Sequence, residues 1–318
     1  MPGSALPAFV EPLGHGVYGI DTGFTRPRFD AAYLLVDQGH AAFIDTGTNF
    51  AVPRLLAALD ALGLARDAVD YVIPTHVHLD HAGGVGRLMQ ALPRARALVH
   101  PRGLRHMIDP SALFQGALAV YGADAMAREY GELIGVDAAR AEATHDGMTL
   151  RLGSRTLHFA DTPGHARHHH CIWDEASAGW FTGDTFGLSY REFDTERGAW
   201  LIPSATPVQF EPGALRDSVA RLLQAGPQSM YLTHFSRVGD VKRLAEGFQQ
   251  LLQRMVEIGQ ALRAATDRHA RLREALQAMY LQSLRQHGCS LDDATCTALL
   301  AVDIELNAQG MAVWLDRA

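Results

Sequence analysis

Apolar and polar positions divide the chain into two regimes. Up to about residue 240, short apolar runs bounded by Gly, Asp and Pro alternate with runs of helical period. The apolar runs predict strands at Val17–Ile20, Tyr33–Val36, Ala41–Ile44, Tyr71–Ile73 and Ala97–His100. A second series follows at Thr149–Leu152, Thr156–Ala160, His170–Trp173, Trp180–Phe181 and Met230–Thr233. Helices are predicted at Val52–Leu62, Val85–Ala91, Leu113–Tyr121, Asp124–Ile134 and Gly213–Ala225. This alternation reads as an α/β fold with mixed sheets covered by helices. Residues 100–145 carry more helix than a minimal α/β unit needs. They read as a helical insertion, either a packed layer or a segment overhanging a site. Beyond Asp240 the pattern becomes helical throughout. Leu244, Phe248, Leu251, Leu252 and Met255 recur at helical spacing, and Leu272, Leu276, Met279 and Leu284 continue it. The expected organisation is therefore an α/β domain over 1–240 and an extension of three or four helices over 241–318. The apolar faces of that extension pack on the α/β body or form a homodimer contact.

Composition narrows the function classes. The chain has 318 residues, of which 47% are hydrophobic and 20% charged, enough to bury a sizeable core. Its net charge of −7 and the lack of a long basic run disfavour nucleic-acid binding, which rests on neutralising phosphates. The three cysteines, Cys171, Cys289 and Cys296, are too few for a disulfide framework and fit a reducing compartment. With no signal-peptide pattern and no run of about 18 apolar residues, the expectation is a cytoplasmic protein that does not span a membrane.

The densest chemistry lies in Thr75-His76-Val77-His78-Leu79-Asp80-His81, directly after the Tyr71–Ile73 run. His76 and His78, two apart on extended backbone, aim the same way. Asp80 and His81 fall on the following turn and face a neighbouring point. Such spacing suits two adjacent cations, although a histidine-rich loop can also be a solvated surface segment. Three further segments have the same format, an apolar strand with a polar ligand just past its end: Thr162-Pro163-Gly164-His165, Phe181-Thr182-Gly183-Asp184 and Tyr231-Leu232-Thr233-His234. Sites in α/β proteins are built at such strand ends. A single carboxylate oxygen, as at Asp184, can bridge two cations.

The order HxHxDH, then His, Asp and His, resembles the metallo-β-lactamase superfamily over about residues 8–240. The resemblance implies a four-layer αβ/βα sandwich with a dinuclear metal site on one edge. It assigns His76, His78 and His165 to one metal, Asp80, His81 and His234 to the other, and Asp184 to the bridge. Asp45, in Ile44-Asp45-Thr46-Gly47, would accept a hydrogen bond from a ligating imidazole and fix its tautomer; the same tripeptide is also an ordinary turn. A ligand set of nitrogen and carboxylate suits two divalent ions, Zn²⁺ foremost, with Fe or Mn as alternatives. Asp184 stands where cysteine-ligand members carry their thiolate. That points away from β-lactam hydrolysis and towards ester, thioester and lactone hydrolases of the glyoxalase II and lactonase type.

The expected mechanism is attack on a small acyl substrate by a metal-bridging hydroxide, with Asp80 orienting the nucleophile and passing a proton to the leaving group. Tyr190, Arg191 and His169 are candidate substrate contacts. His168 and His170, next to His169, are further candidates for a place beside the ligands or the substrate, and His15, His40, His100, His106, His145 and His158 read as structural or surface residues. Two other readings share the motif: a regulatory or ligand-binding protein of this fold with only incidental hydrolysis, and a phosphodiesterase, which the acidic balance disfavours.

Overall fold

The computed structural model describes residues 5–317. By its internal contacts the described chain falls into two compact units that interleave in sequence. The first comprises the chain up to Asp161 with His168–Gly183 and Ser229–Arg237; the second comprises Thr162–Arg167, Asp184–Gln228 and the chain from Val238 onwards.

The first unit begins with a meander, β1 (Val10–Gly14), β2 (Val17–Asp21), β3 (Ala31–Asp37) and β4 (His40–Ile44), in which each strand pairs antiparallel with the next. Parallel pairing then takes over and needs crossovers. α1 (Val52–Ala61) leads to β5 (Val69–Ile73), α2 (Leu79–Ala82) and α3 (Val85–Ala91) lead to β6 (Arg96–Val99), and α4 (Pro101–Ile108), α5 (Ser111–Tyr121) and α6 (Ala123–Ala125) precede β7 (Ala141–Ala143). The seven strands form one sheet in sequence order, with β4 to β7 parallel. A second sheet runs β13-β12-β11-β10-β9-β8, built from β8 (Thr149–Leu152), β9 (Arg155–Asp161), β10 (His170–Asp174), β11 (Gly179–Gly183), β12 (Ser229–Leu232) and β13 (Ser236–Val238).

The first sheet is apolar on both faces, so its strands read as continuous runs rather than alternating ones. Ala32 and Leu34 of β3, with Phe43 and Val72, pack on one side against Leu55 and Leu59 of α1 and Val85, Leu88 and Met89 of α3. Ala31, Tyr33 and Leu35, with Ile44 and Ile73, pack on the other side against Leu157, Phe159, Ile172, Phe181 and Tyr231 of the second sheet. The Tyr33 ring meets Phe181 at 5.1 Å and Tyr231 at 5.7 Å, edge-on in both cases, and its hydroxyl donates to the Leu232 carbonyl.

The second unit holds α7 (Pro212–Leu223), α8 (Val241–Leu262), α9 (Arg268–His287), α10 (Asp293–Leu299) and α11 (Ala301–Arg317). Its polar anchors are unusual for helix interiors. Asp303 and Asn307, one turn apart on α11, are both buried. Asp303 accepts from the Tyr190 hydroxyl at 3.0 Å. The Asn307 amide accepts from the Ala205 N–H at 2.6 Å and donates to the Pro203 carbonyl and the Tyr280 hydroxyl at 3.2 and 2.8 Å. At Gly310, one turn further on, a Cβ would come within 2.4 Å of the Ala205 carbonyl oxygen, so glycine allows the helix its close approach to this segment. No single helix among the described residues is long and apolar enough to cross a membrane.

Two sequence expectations are corrected. The helix expected over Asp124–Ile134 is only α6 followed by a π-helical turn, Met126–Tyr130. It ends at Gly131, whose φ of +68° leaves the helical region. Within residues 100–145 the chain also returns to form β7, a three-residue strand fixed by its register with β6 rather than by its Ala-Glu-Ala sequence.

Arg155 and Asp174, on paired strands β9 and β10, form a buried ion pair at 2.6 Å. The Arg155 guanidinium also donates to the His15 carbonyl, and Asp174 accepts from the Ser177 N–H at 3.1 Å. Removing one partner leaves the other charge buried alone. Asp174→Ala is therefore expected to lower the unfolding free energy by roughly 3–5 kcal/mol, read from urea denaturation. A loss below about 1 kcal/mol would show that water reaches Arg155.

Candidate metal centre

The site grows from strand ends. Ile44 and Ile73 are register partners in the parallel β4–β5 pair, so Asp45 and Thr75 leave the sheet side by side. Asp45 adopts a left-handed backbone, φ +54°, and its N–H donates to the Ile73 carbonyl at 3.1 Å. Its carboxylate turns inward and is fully buried. Four donors converge on it: the Thr75 N–H at 2.6 Å, the Thr75 hydroxyl at 2.9 Å, the Thr233 hydroxyl at 2.8 Å and His81 Nδ1 at 2.9 Å. Thr46 ties the same corner to α2, its N–H and hydroxyl both donating to the His81 carbonyl, at 2.8 and 3.0 Å.

These bonds fix tautomers. Histidine in these geometries has its roles assigned by its partners. Asp45 can only accept, so Nδ1 of His81 carries a proton and Nε2 presents its lone pair, 3.8 Å from Asp80 Oδ2. His234 Nδ1 lies 3.0 Å from the Phe29 carbonyl, another pure acceptor, which leaves Nε2 aimed at Asp80 Oδ2 at 3.3 Å. Thr75 gives its hydroxyl proton to Asp45 and so accepts from His76 Nδ1 at 3.2 Å. His76 Nε2 then meets His78 Nδ1 at 2.8 Å. The second unit repeats the device. His165 Nδ1 sits 3.3 Å from the Ser204 carbonyl, and its Nε2 faces Asp184 Oδ2 at 3.5 Å.

An imidazole lone pair facing a carboxylate oxygen is repulsive unless a cation, proton or metal ion, lies between them. A tetrahedral ion with bonds of about 2.1 Å holds its ligands about 3.4 Å apart. The spacings around Asp80 and His234 have that size, and the ligand atoms of Asp80, His81 and His234 all lie within 4.8 Å of one another. The donor set of imidazole nitrogen and carboxylate oxygen is that of a divalent metal centre.

The structure brings Asp45, His76, His78, Asp80, His81 and His234 together in the first unit, and His165 with Asp184 in the second. His169 lies behind the ligands, fully buried, its ring stacked on His76 at a centroid distance of 4.8 Å. A Cβ at Gly183, which has φ +47°, would come within 2.6 Å of His169 Nε2 and 2.5 Å of the Thr75 hydroxyl; this packing requires glycine there. Tyr190 is buried in the second unit against Asp303. Arg191 donates to the Ser189 carbonyl at 2.8 Å and pairs with Asp194 at 3.3 Å.

Supporting residues the sequence reasoning missed include Thr75 and Thr233. Their signal was the repeated Thr-His pair, Thr75-His76 and Thr233-His234, at two strand ends. Asp30 is another: it is buried, accepts from the Thr22 hydroxyl at 2.8 Å, and burial pushes its carboxyl up to about 7 against the pull of His234 and His81. Tyr130, which packs with Leu79, has its phenol pushed far above the ordinary range by burial and then by the Asp80 carboxylate.

Residues 25–234 match the model of the metallo-beta-lactamase superfamily. The chain belongs to that superfamily. It is 25% identical over 250 residues to the metallo-beta-lactamase fold-containing protein ST1585 of Sulfurisphaera tokodaii, spanning 75% of this chain and 85% of the relative. It is 34% identical over 215 residues to a hydroxyacylglutathione hydrolase of Cupriavidus taiwanensis, spanning 65% of this chain and 64% of that enzyme. The chain thus covers less than two thirds of that relative's length. Among solved structures, ST1585 superposes with a TM-score of 0.61 at 24% identity, covering 76% of this chain and 86% of the other. The metallo-beta-lactamase family protein TTHA1429 of Thermus thermophilus superposes with the same score and identity over 80% and 84%. At that identity the likeness is one of fold: two sheets flanked by helices, with further helices at the C-terminal end.

His170 supports the ligand segment from behind. Its Nε2 donates to the Pro74 carbonyl at 2.9 Å and its Nδ1 accepts from the Thr144 hydroxyl at 2.9 Å. Burial, with His100 nearby, pushes the imidazole down to about 3. Between pH 6.5 and 3 the unfolded chain binds a proton there that the folded chain refuses, so stability falls on acidification. Wild type is expected to lose about 2 kcal/mol more than His170→Gln between about pH 6.5 and 5, read from urea midpoints at the two values. Parallel losses would mean that His170 charges freely in the folded state.

Proposed function

We propose that the chain is a metal-dependent hydrolase that cleaves a carboxylic ester, thioester or lactone, with two divalent ions, Zn²⁺ foremost, as its cofactor. His76, His78 and His165 would hold one ion, Asp80, His81 and His234 the other, with Asp184 shared. The observation that carries this reading is the fixed tautomer of His81 and His234. Both Nε2 lone pairs face Asp80 Oδ2, at 3.8 and 3.3 Å, an arrangement that a cation stabilises. The likeness to a hydroxyacylglutathione hydrolase supports an acyl substrate, and a ligand set without thiolate agrees with it. When bound, the ions supply hydroxide at neutral pH and polarise the acyl carbonyl.

The residues of the chain then have separate tasks. Asp80 is one quarter exposed while His81 beneath it is fully buried. Asp80 is thus the carboxylate able to meet the incoming nucleophile, orient it and carry a proton to the leaving group. Asp45 holds His81 in its ligating tautomer and, through Thr75, does the same for His76.

Metal analysis coupled to an ester, thioester and lactone screen tests the reading. About two ions per chain and turnover of one class are expected; less than one ion per chain after metal-replete expression overturns it. Asp45→Ala is expected to lower metal affinity or activity by about 10–100-fold, and unchanged metal content and rate in that variant would remove Asp45 from the mechanism.

A further inference from the structure

An aromatic series leads away from the ligands of the first unit. The Phe29 ring meets His234 edge-on at 5.2 Å, Phe24 follows Phe29 at 5.9 Å, Tyr130 follows Phe24 at 5.6 Å, and Tyr121 follows Tyr130 at 5.3 Å. Leu79, placed in sequence between His78 and Asp80, packs with Met126 and Tyr130 in the same cluster. The cluster is lined on its outer side by α5. That helix is apolar, yet none of its residues is buried: Phe114 and Leu118 are half-covered, and Val120 and Tyr121 are 45% and 40% exposed. A contiguous apolar face left open beside a candidate site is the kind of surface a ligand can cover. The flanking backbone is also of the kind found at such sites. Thr25 and Arg28 both adopt φ +58° in the loop carrying Phe24 and Phe29, and Tyr130 ends a π-helical turn. Arg26 lies over the Phe29 ring at 4.6 Å and brings a cation to the same loop.

We propose that this surface, running from Phe29 through Phe24 and Tyr130 to α5, binds the apolar acyl group of the substrate. The occupant follows from continuity. The surface starts in contact with the ligand His234 and at Leu79 between two ligand positions, so a carbonyl held at the ligands continues directly onto it. The proposal rests on the reading of the site as an acyl hydrolase, and it narrows the substrate to acyl groups of medium length or longer. A fully buried methylene contributes about a fourfold gain in binding, and a half-covered wall about half of that in free energy, near twofold. From acetyl to octanoyl, kcat/KM should therefore rise by about 10–100-fold.

The experiment has two arms. Metal-replete wild type is assayed on p-nitrophenyl esters from acetate to octanoate. Metal-stripped wild type is titrated calorimetrically with octanoate and with acetate, which needs no turnover. The expected result is a rising kcat/KM series and tighter binding of octanoate. Both should fall by about tenfold in Phe24→Ser/Leu118→Ser and persist in Val302→Ser, an exposed apolar position on α11. If the double variant is unfolded by its urea profile, Leu118→Ser alone carries the test. Octanoate bound no better than acetate by wild type, or equally by the double variant, overturns the proposal. So does a concentration-dependent dimer that Leu118→Ser dissociates without changing octanoate binding, because a second copy would then own the surface. If no ester is cleaved but octanoate binds and the variant loses it, the acyl surface stands and the hydrolase reading falls.

Discussion

A single buried carboxylate organises the histidine and aspartate cluster of the first unit. Asp45 brings a negative charge to the end of the β4–β5 pair, where it has no exposure to water. Such a charge is tolerated only when its lone pairs are filled by donors. The donors come from three separate stretches: Thr75 after β5, His81 on α2 and Thr233 after β12. Satisfying one carboxylate therefore fixes three strand ends and one helix against each other. The cost of burying Asp45 becomes positional order in the side chains around it, as expected when a polar network is complete.

The consequence reaches the neighbouring histidines through the placement of protons. An acceptor-only carboxylate forces a proton onto His81 Nδ1. The threonine that donates to Asp45 must then accept from His76. Backbone carbonyls do the same for His234 and His165. Four imidazoles are thus set to offer a lone pair, and none of the settings depends on the cation being present. Side chains preordered in this way would lose little order on meeting a cation, and order already present in the protein is free energy not spent at binding. The same logic explains the surrounding glycines. Gly83 and Gly84 leave room where a Cβ would meet the Leu79 and Thr48 carbonyl oxygens at 2.4 and 2.9 Å, and Gly84 donates to the Gly47 carbonyl. The HAGG and DTG turns can then lie backbone to backbone.

Much of this is legible in the sequence, and the reason differs by element. The strands that precede the ligand-type residues are largely buried, so each appears as an apolar run ending in a polar residue. The run Thr149–Leu152 matches its strand to the residue, and β4, β5 and β12 match theirs to within two. β1, β7 and β13 escape the pattern because β1 interrupts its apolar positions with Glu11 and Pro12, and β7 and β13 are three-residue strands whose existence depends on a neighbour's hydrogen bonds, not on their own composition. The ligand-type residues stand out because histidine and aspartate have few other reasons to recur past strand ends. Threonine has many, so Thr75 and Thr233 carry no weight until their partner Asp45 is placed in space.

The same distinction bears on Tyr190 and Arg191. By residue type they are plausible substrate contacts, but type alone does not reveal a partner over a hundred positions away. Tyr190 is buried with its hydroxyl on Asp303, and Arg191 is engaged by Ser189 and Asp194. Asp303 and Asn307, spaced one turn apart on α11, make the C-terminal helix an anchor for the 190–206 segment of its own unit. Polar groups buried at helical spacing on an otherwise apolar helix face are costly unless matched, so their presence is itself evidence of a fixed partner. That segment follows Asp184 in the chain, and its conformation is set by helices that carry no ligand. The helical extension thus anchors a segment of its own unit, a role no composition or period could announce, because the matching groups lie far apart in the sequence.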